Sequence, residues 1–171
     1  MPDVIESTTV STVSTLAVVR EALEFVLFGV PNRPDTPALI LGPLVEAKID
    51  VDAMALNTQD DGTANFSFII HRDDYQPALA ILEQLVPGLG NVRIQAQPAI
   101  AKLLMRGASL WQHPGILDAV LIALAAPDIR IQSISTSDQT LSVFIDDTNV
   151  ESAVEALQQV FPQLELVLAR I

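Results

Sequence analysis

The chain has 171 residues, half of them hydrophobic, enough to bury the core of one ordinary domain or two small ones and too many for intrinsic disorder. Nine Lys and Arg stand against 21 Asp and Glu, and a formal net charge of −12 argues against a nucleic-acid backbone or an anionic membrane surface as partner. With no cysteine and two histidines, disulfides, thiolate metal sites and cysteine nucleophiles are excluded, and no metal or cofactor is expected.

Residues 1–20 read as a flexible lead-in; Met1 to Ser14 is rich in Ser and Thr and carries Asp3 and Glu6 where a secretory signal would be basic. A cytoplasmic location is expected. Glu24 to Val30 is a mostly apolar run and reads as a strand. Pro34 to Lys48 carries Leu39, Ile40, Leu44 and Val45 at helical spacing. Asp50 to Leu56 alternates, Asp61-Gly62 marks a turn, and Ala64 to Ile70 alternates again, so a hairpin is predicted. Asp73 or Asp74 is placed to cap a helix whose apolar face is Ala78, Leu79, Ile81, Leu82 and Leu85. After Gly88 to Gly90, Val92 to Gln97 forms another strand. The same order then recurs over Ala101 to Gly107, His113 to Ala126, Asp128 to Thr136, Thr140 to Ile145, Asn149 to Phe161 and Leu164 to Ala169. Ile116 to Pro127 is the longest apolar stretch; it is shorter than the ~18 residues of a membrane span, carries Asp118, and reads as a buried helix.

The recurrence is visible residue by residue. Pro34 aligns with Pro114 at an offset of 80, as do Leu41 with Leu121, Leu44 with Leu124 and Ile49 with Ile129. Beyond the Asp60-Asp61-Gly62 turn the offset drops to 75, pairing Ser67 with Ser142, Ile70 with Ile145 and Leu82 with Leu157. A hairpin loop changes length cheaply, so one unit of about 75 residues occurs twice. The fold class that follows is α+β: two tandem ferredoxin-like βαββαβ units, residues 21–97 and 98–171, each an antiparallel sheet with its helices on one face. The uncovered sheet faces call for a partner, a second copy or another chain.

Two sets of segments carry a resemblance. Phe28-Gly29-Val30-Pro31-Asn32-Arg33-Pro34 before a helix, then Ile49 to Met54, Asn57 and Asp61 to Phe68, is similar to the first regulatory ACT domain of aspartokinases. His113-Pro114-Gly115 and Ile134 to Asp138 through Val143 resemble the second. The resemblance implies a regulatory module that binds an amino acid of the threonine or lysine class at an interface between ACT domains. It also implies nesting or strand exchange between the units, and kinase activity housed in a separate N-terminal domain. Only about 20 residues precede the repeats and no phosphate-binding Gly-rich motif is present, so the chain is expected to be no enzyme and to have no catalytic residues, like the free β subunit of some aspartokinases. Its partners would be the amino-acid effector and either a second copy, as a homodimer, or an aspartokinase-type chain.

Carried over by position, the ligand-binding residues are Asn32, Asp35, Asn57, Ile131 and Gln132. The chain departs from the family at some of them. An acidic residue is usual where Asn32 stands, a glycine where Asp35 stands, a small residue where Pro37 stands and a glutamine where Leu56 stands. A glycine there lets helix-start amides approach a ligand carboxylate, whereas Asp35 adds bulk and like charge. In the second unit Gly115 is kept, but Trp111 and Gln112 replace the usual small or basic residues. An altered ligand, one surviving site, or a ligand-free module kept for dimerisation or partner binding all stay open. Bland roles compete at each position: Asn32 or Asp35 as a helix cap, Asn57 as a turn stabiliser, Ile131 and Gln132 in ordinary sheet pairing, His113 as a cap, Trp111 as an interface residue. The acidic pairs Asp60-Asp61, Asp73-Asp74 and Asp146-Asp147 fall at turns and helix starts, without the alternation of a cation-binding loop.

Overall fold

A computed structural model describes residues 13–107 and 114–169. Among the described residues, seven strands and four α-helices follow in the order β1 (Val13–Pro31), α1 (Thr36–Glu46), β2 (Val51–Thr58), β3 (Thr63–His71), α2 (Tyr75–Leu89), β4 (Arg93–Gly107), α3 (Pro114–Ala125), β5 (Ile131–Thr136), β6 (Thr140–Asp146), α4 (Val150–Val160) and β7 (Glu165–Ala169). They divide into two compact units, Glu21–Ala99 and a second comprising residues 13–20 and 100–169.

In the first unit β2 pairs β3 and β3 pairs β1, both antiparallel, within the strand order β2-β3-β1-β4. Phe25 and Leu27 of β1, Phe66, Phe68 and Ile70 of β3, Ile40 and Leu44 of α1 and Ala78 and Leu82 of α2 form its core. The alternation in β3 and the i, i+4 spacing in both helices bring one face of each element to that core. In the second unit β6 pairs β4 and β5 antiparallel, and Leu103, Val143 and Ile145 pack with Val120 and Leu124 of α3 and Ala153 and Leu157 of α4. The α+β class and the helix-on-sheet layering agree with the sequence reading.

The boundaries differ from those expected. Residues 13–20 are no lead-in but the first part of a 19-residue strand, and Val13, Leu16 and Val18 enter the core of the second unit. There β7 joins β1 in parallel, Thr15 opposite Glu165 through Val19 opposite Ala169, an exception to the antiparallel rule. The residue-by-residue repeat alignment starts at Pro34 and so does not reach these residues, and Ser14 and Thr15 gave them a polar look. β1 and β4 each pass from one unit's residues to the other's, at Arg20/Glu21 and Ala99/Ile100. Glu21 and Ala99 both adopt left-handed backbone, with φ of 67° and 62°.

Backbone detail repeats along with the sequence. α1 ends in a Schellman motif: Ile49 N–H donates to Leu44 O at 2.9 Å and Lys48 N–H to Val45 O at 2.9 Å, with Lys48 at φ 61°. At the offset of 80, Ile129 N–H donates to Leu124 O at 3.1 Å and Asp128 N–H to Ala125 O at 3.0 Å, with Asp128 at φ 59°. At the offset of 75, short 3-10 turns lead into α2 and α4. Neither Asp73 nor Asp74 caps the first with its side chain; His71 does, accepting the Asp73 N–H on Nδ1 at 3.2 Å. Asp146 takes that role in the second unit, accepting from the Thr148 amide at 2.9 Å and hydroxyl at 2.5 Å.

Those two bonds hold the Asp146 carboxyl below the usual aspartate range, the hydroxyl contributing most. A depressed folded pKa gives stability that is complete above the ordinary aspartate value and is lost as pH falls through the folded one. Asp146→Asn is therefore expected to flatten the dependence of the thermal midpoint on pH below about 4. An unchanged slope would show that the turn carries no proton linkage.

Candidate functional site

The loop between β1 and α1 holds two of the expected ligand residues, and its shape is set from the strand end. Gly29 has φ 76° and sits in a β1 bulge, between Leu27 and Val30, where the register against β3 shifts. Its N–H donates to the Asn65 side-chain oxygen at 3.3 Å, and a Cβ added there would lie 3.4 Å from the Asn91 carbonyl. Thr36, buried, donates its hydroxyl to the Pro31 carbonyl at 2.7 Å. Asn32 N–H donates to Gly62 O at 3.0 Å, tying the loop to the β2–β3 turn. That turn is closed by Asp61, which accepts from the Thr63 amide and hydroxyl at 3.0 and 2.7 Å.

Asp35 occupies the N-cap position of α1 without making a side-chain cap bond. Its carboxylate pairs instead with the Arg33 guanidinium at 3.2 Å, both groups more than half exposed. Arg33 thus offsets the charge that Asp35 brings to the helix start, a compensation signalled in the sequence only by opposite charges two residues apart. The helix start offers a ligand few amides. Thr36 N–H is taken by Arg33 O and Leu39 N–H by Asp35 O, and Pro37 has none, which leaves Ala38 as the first-turn amide without a protein partner among the described residues.

Asn57 lies exposed near the end of β2, opposite Asn65 of β3, rather than in the turn itself. Asn32, Asp35 and Asn57 therefore share the first unit, with Asn32 joined to the β2–β3 turn by its backbone. Ile131 and Gln132 belong to the second unit. Ile131 starts β5 opposite Ile145 and packs against the core. Gln132 is the extra residue of a bulge between Ile131 and Ser133, and its side-chain oxygen is buried with no hydrogen-bond partner among the described residues. Asp52 holds the matching bulge position in β2, 80 residues earlier. A buried amide oxygen left unpaired is costly, and a donor arriving there gains its full hydrogen bond. Sequence pattern placed Gln132 in β5 but carried no sign of the bulge. His113 and Trp111 lie outside the described residues.

Among the described residues no group of three or more His, Asp or Glu could hold a metal ion, and no helix is long and apolar enough to cross a membrane.

Comparison with known proteins gives these features a context. A family model of the ACT domain matches residues 104–161. The aspartokinase of Pseudomonas aeruginosa is 36% identical over 149 residues, 87% of this chain, and the aspartokinase of Mycolicibacterium smegmatis is 31% identical over 144 residues. The chain spans only about a third of the length of these curated relatives, 36% and 34%. Among solved structures, a chain of the aspartokinase alpha and beta subunits superposes with a TM-score of 0.80 at 32% identity, covering 88% of this chain and 99% of that one. The ligand-free regulatory subunit of aspartate kinase from Thermus thermophilus gives 0.82 at 27%, with the same coverage.

Proposed function

The chain belongs to the ACT-domain regulatory family of the aspartokinases, and from that premise we propose that it is a non-catalytic amino-acid sensor acting as an allosteric regulator in the cytoplasm. The observation that supports this reading is the near-complete correspondence with a chain of the aspartokinase alpha and beta subunits, 99% of which is covered. The effector is a small amino acid of the threonine or lysine class. Asn32, Asp35 and Asn57 contribute from the first unit and Ile131 and Gln132 from the second. The unpaired amide oxygen of Gln132 suits a ligand ammonium, and the side-chain amide of Asn57 can address either charged end. A ligand that binds one packing of paired ACT units better than another shifts the population by that difference in affinity and no more. The partner is a second copy of the chain or an aspartokinase catalytic chain.

A thermal-shift panel of the twenty amino acids tests this directly. A true effector at a hundred times its dissociation constant is expected to stabilise the protein by about 2.7 kcal/mol. Asn57→Ala and Gln132→Ala should each reduce that gain while leaving the unliganded midpoint close to the parent's.

A second reading has its own support. The Arg33–Asp35 pair and Pro37 leave the α1 start with little to offer a carboxylate, as in a ligand-free module kept for dimerisation or partner binding. A panel with no response to any amino acid decides for that module.

A further inference from the structure

Arg20 and Glu21 are neighbours in β1, at the point where the strand passes from the residues of one repeat to those of the other. Each reaches an oppositely charged group in its own repeat. Arg20 pairs with Asp147 at 3.6 Å and makes a close contact with Glu151. Glu21 pairs with Arg72 at 3.4 Å and lies 3.4 Å from His71 Nε2. Arg72 and Asp147 open the two 3-10 turns and stand 75 residues apart, so they are the same repeat position carrying opposite charge. The left-handed backbone of Glu21 fixes the direction in which its side chain leaves the strand.

Two homologous repeats that share one long strand have an assignment problem, because each helix-start turn could settle on the wrong half. Hydrophobic pattern separates the halves poorly, since Leu16 and Val18 before the junction and Leu23 and Phe25 after it are all core residues. We propose that the Arg20–Glu21 pair is an assignment latch that directs each half of β1 to its own repeat. In the wrong arrangement Arg20 meets Arg72, and Glu21 meets Asp147 and Glu151. One Asp147 carboxylate oxygen, Oδ1, is buried with no hydrogen-bond partner among the described residues, which makes added negative charge there especially unfavourable. The native pairs are partly exposed and add little stability, so the latch acts by penalising the alternative.

The test is refolding of the full chain from urea, with the yield of native-size protein read by size exclusion. Arg20→Gln with Glu21→Gln removes both charges and is expected to refold nearly as well as the parent. Arg20→Glu with Glu21→Arg inverts the latch and should cut the yield about fivefold or more, less so in 0.5 M salt, where screening weakens the repulsion. Adding Arg72→Asp, Asp147→Arg and Glu151→Arg to the inverted pair should return the yield to within about twofold of the parent. Equal yields from the neutral and inverted variants overturn the proposal, and so does failure of the fully inverted chain to recover.

Discussion

Replacing Phe68 by alanine is expected to cost about 3–5 kcal/mol, close to the whole stability of a small unit. Phe68 is fully buried in β3, and its ring centroid lies 5.7 Å from that of Phe25 and 5.9 Å from that of Phe66. Phe25 in turn stacks on Tyr75 at the start of α2, so truncation opens a void where both sheet strands and a helix meet. Aromatic pairs add to the area term, and the neighbours are too rigidly placed to close the gap. Urea unfolding followed by far-ultraviolet circular dichroism measures the effect. A loss below about 1 kcal/mol would mean that the aromatic cluster is not the centre of this core.

The second large effect belongs to the other repeat. Leu124→Ala is expected to cost about 2–5 kcal/mol, because the side chain is fully buried among residues of α3, β6 and α4. The Leu124 carbonyl also accepts the Ile129 amide, but that backbone bond survives the substitution, so the loss measures packing. Its neighbour supplies a contrast of opposite sign. Asp128 holds φ 59° at the end of the same Schellman motif, and glycine adopts that conformation without steric cost. Asp128→Gly should therefore be tolerated or stabilise slightly, whereas Leu124→Ala destabilises, under one denaturation protocol. Equal losses from both would show that the helix end, and not the side-chain packing, limits stability here.

Most of the architecture was legible because it depends on local periodicity and self-comparison. Alternation in Ala64 to Ile70 and helical spacing in Ile40 and Leu44 survive in the structure as the buried faces of β3 and α1. The offsets of 80 and 75 reappear in the paired Schellman motifs and the paired 3-10 turns, because a repeated sequence pattern repeats its local hydrogen bonding. The resemblance to the aspartokinase ACT region likewise rests on short contiguous motifs, which need no knowledge of what packs against them.

Other features became visible only in three dimensions. Residues 13–20 lie before the start of the repeat alignment, and their place in β1 beside β7 depends on a segment about 150 residues later in the chain. The capping role of His71 follows from the direction the strand takes out of β3, while the sequence pointed to the aspartates that follow it. The Arg33 contact to Asp35 and the buried oxygen of Gln132 arise from loop and bulge geometry. The sequence by itself therefore determined the kind and order of the elements and the existence of the repeat, all products of short-range pattern. It read Val92 to Gln97 and Ala101 to Gly107 as two strands, however, where the structure has the single strand β4. Which halves of β1 and β4 serve which repeat, and which polar atoms are left without partners, was decided by tertiary structure, because those outcomes depend on contacts between residues far apart in the chain.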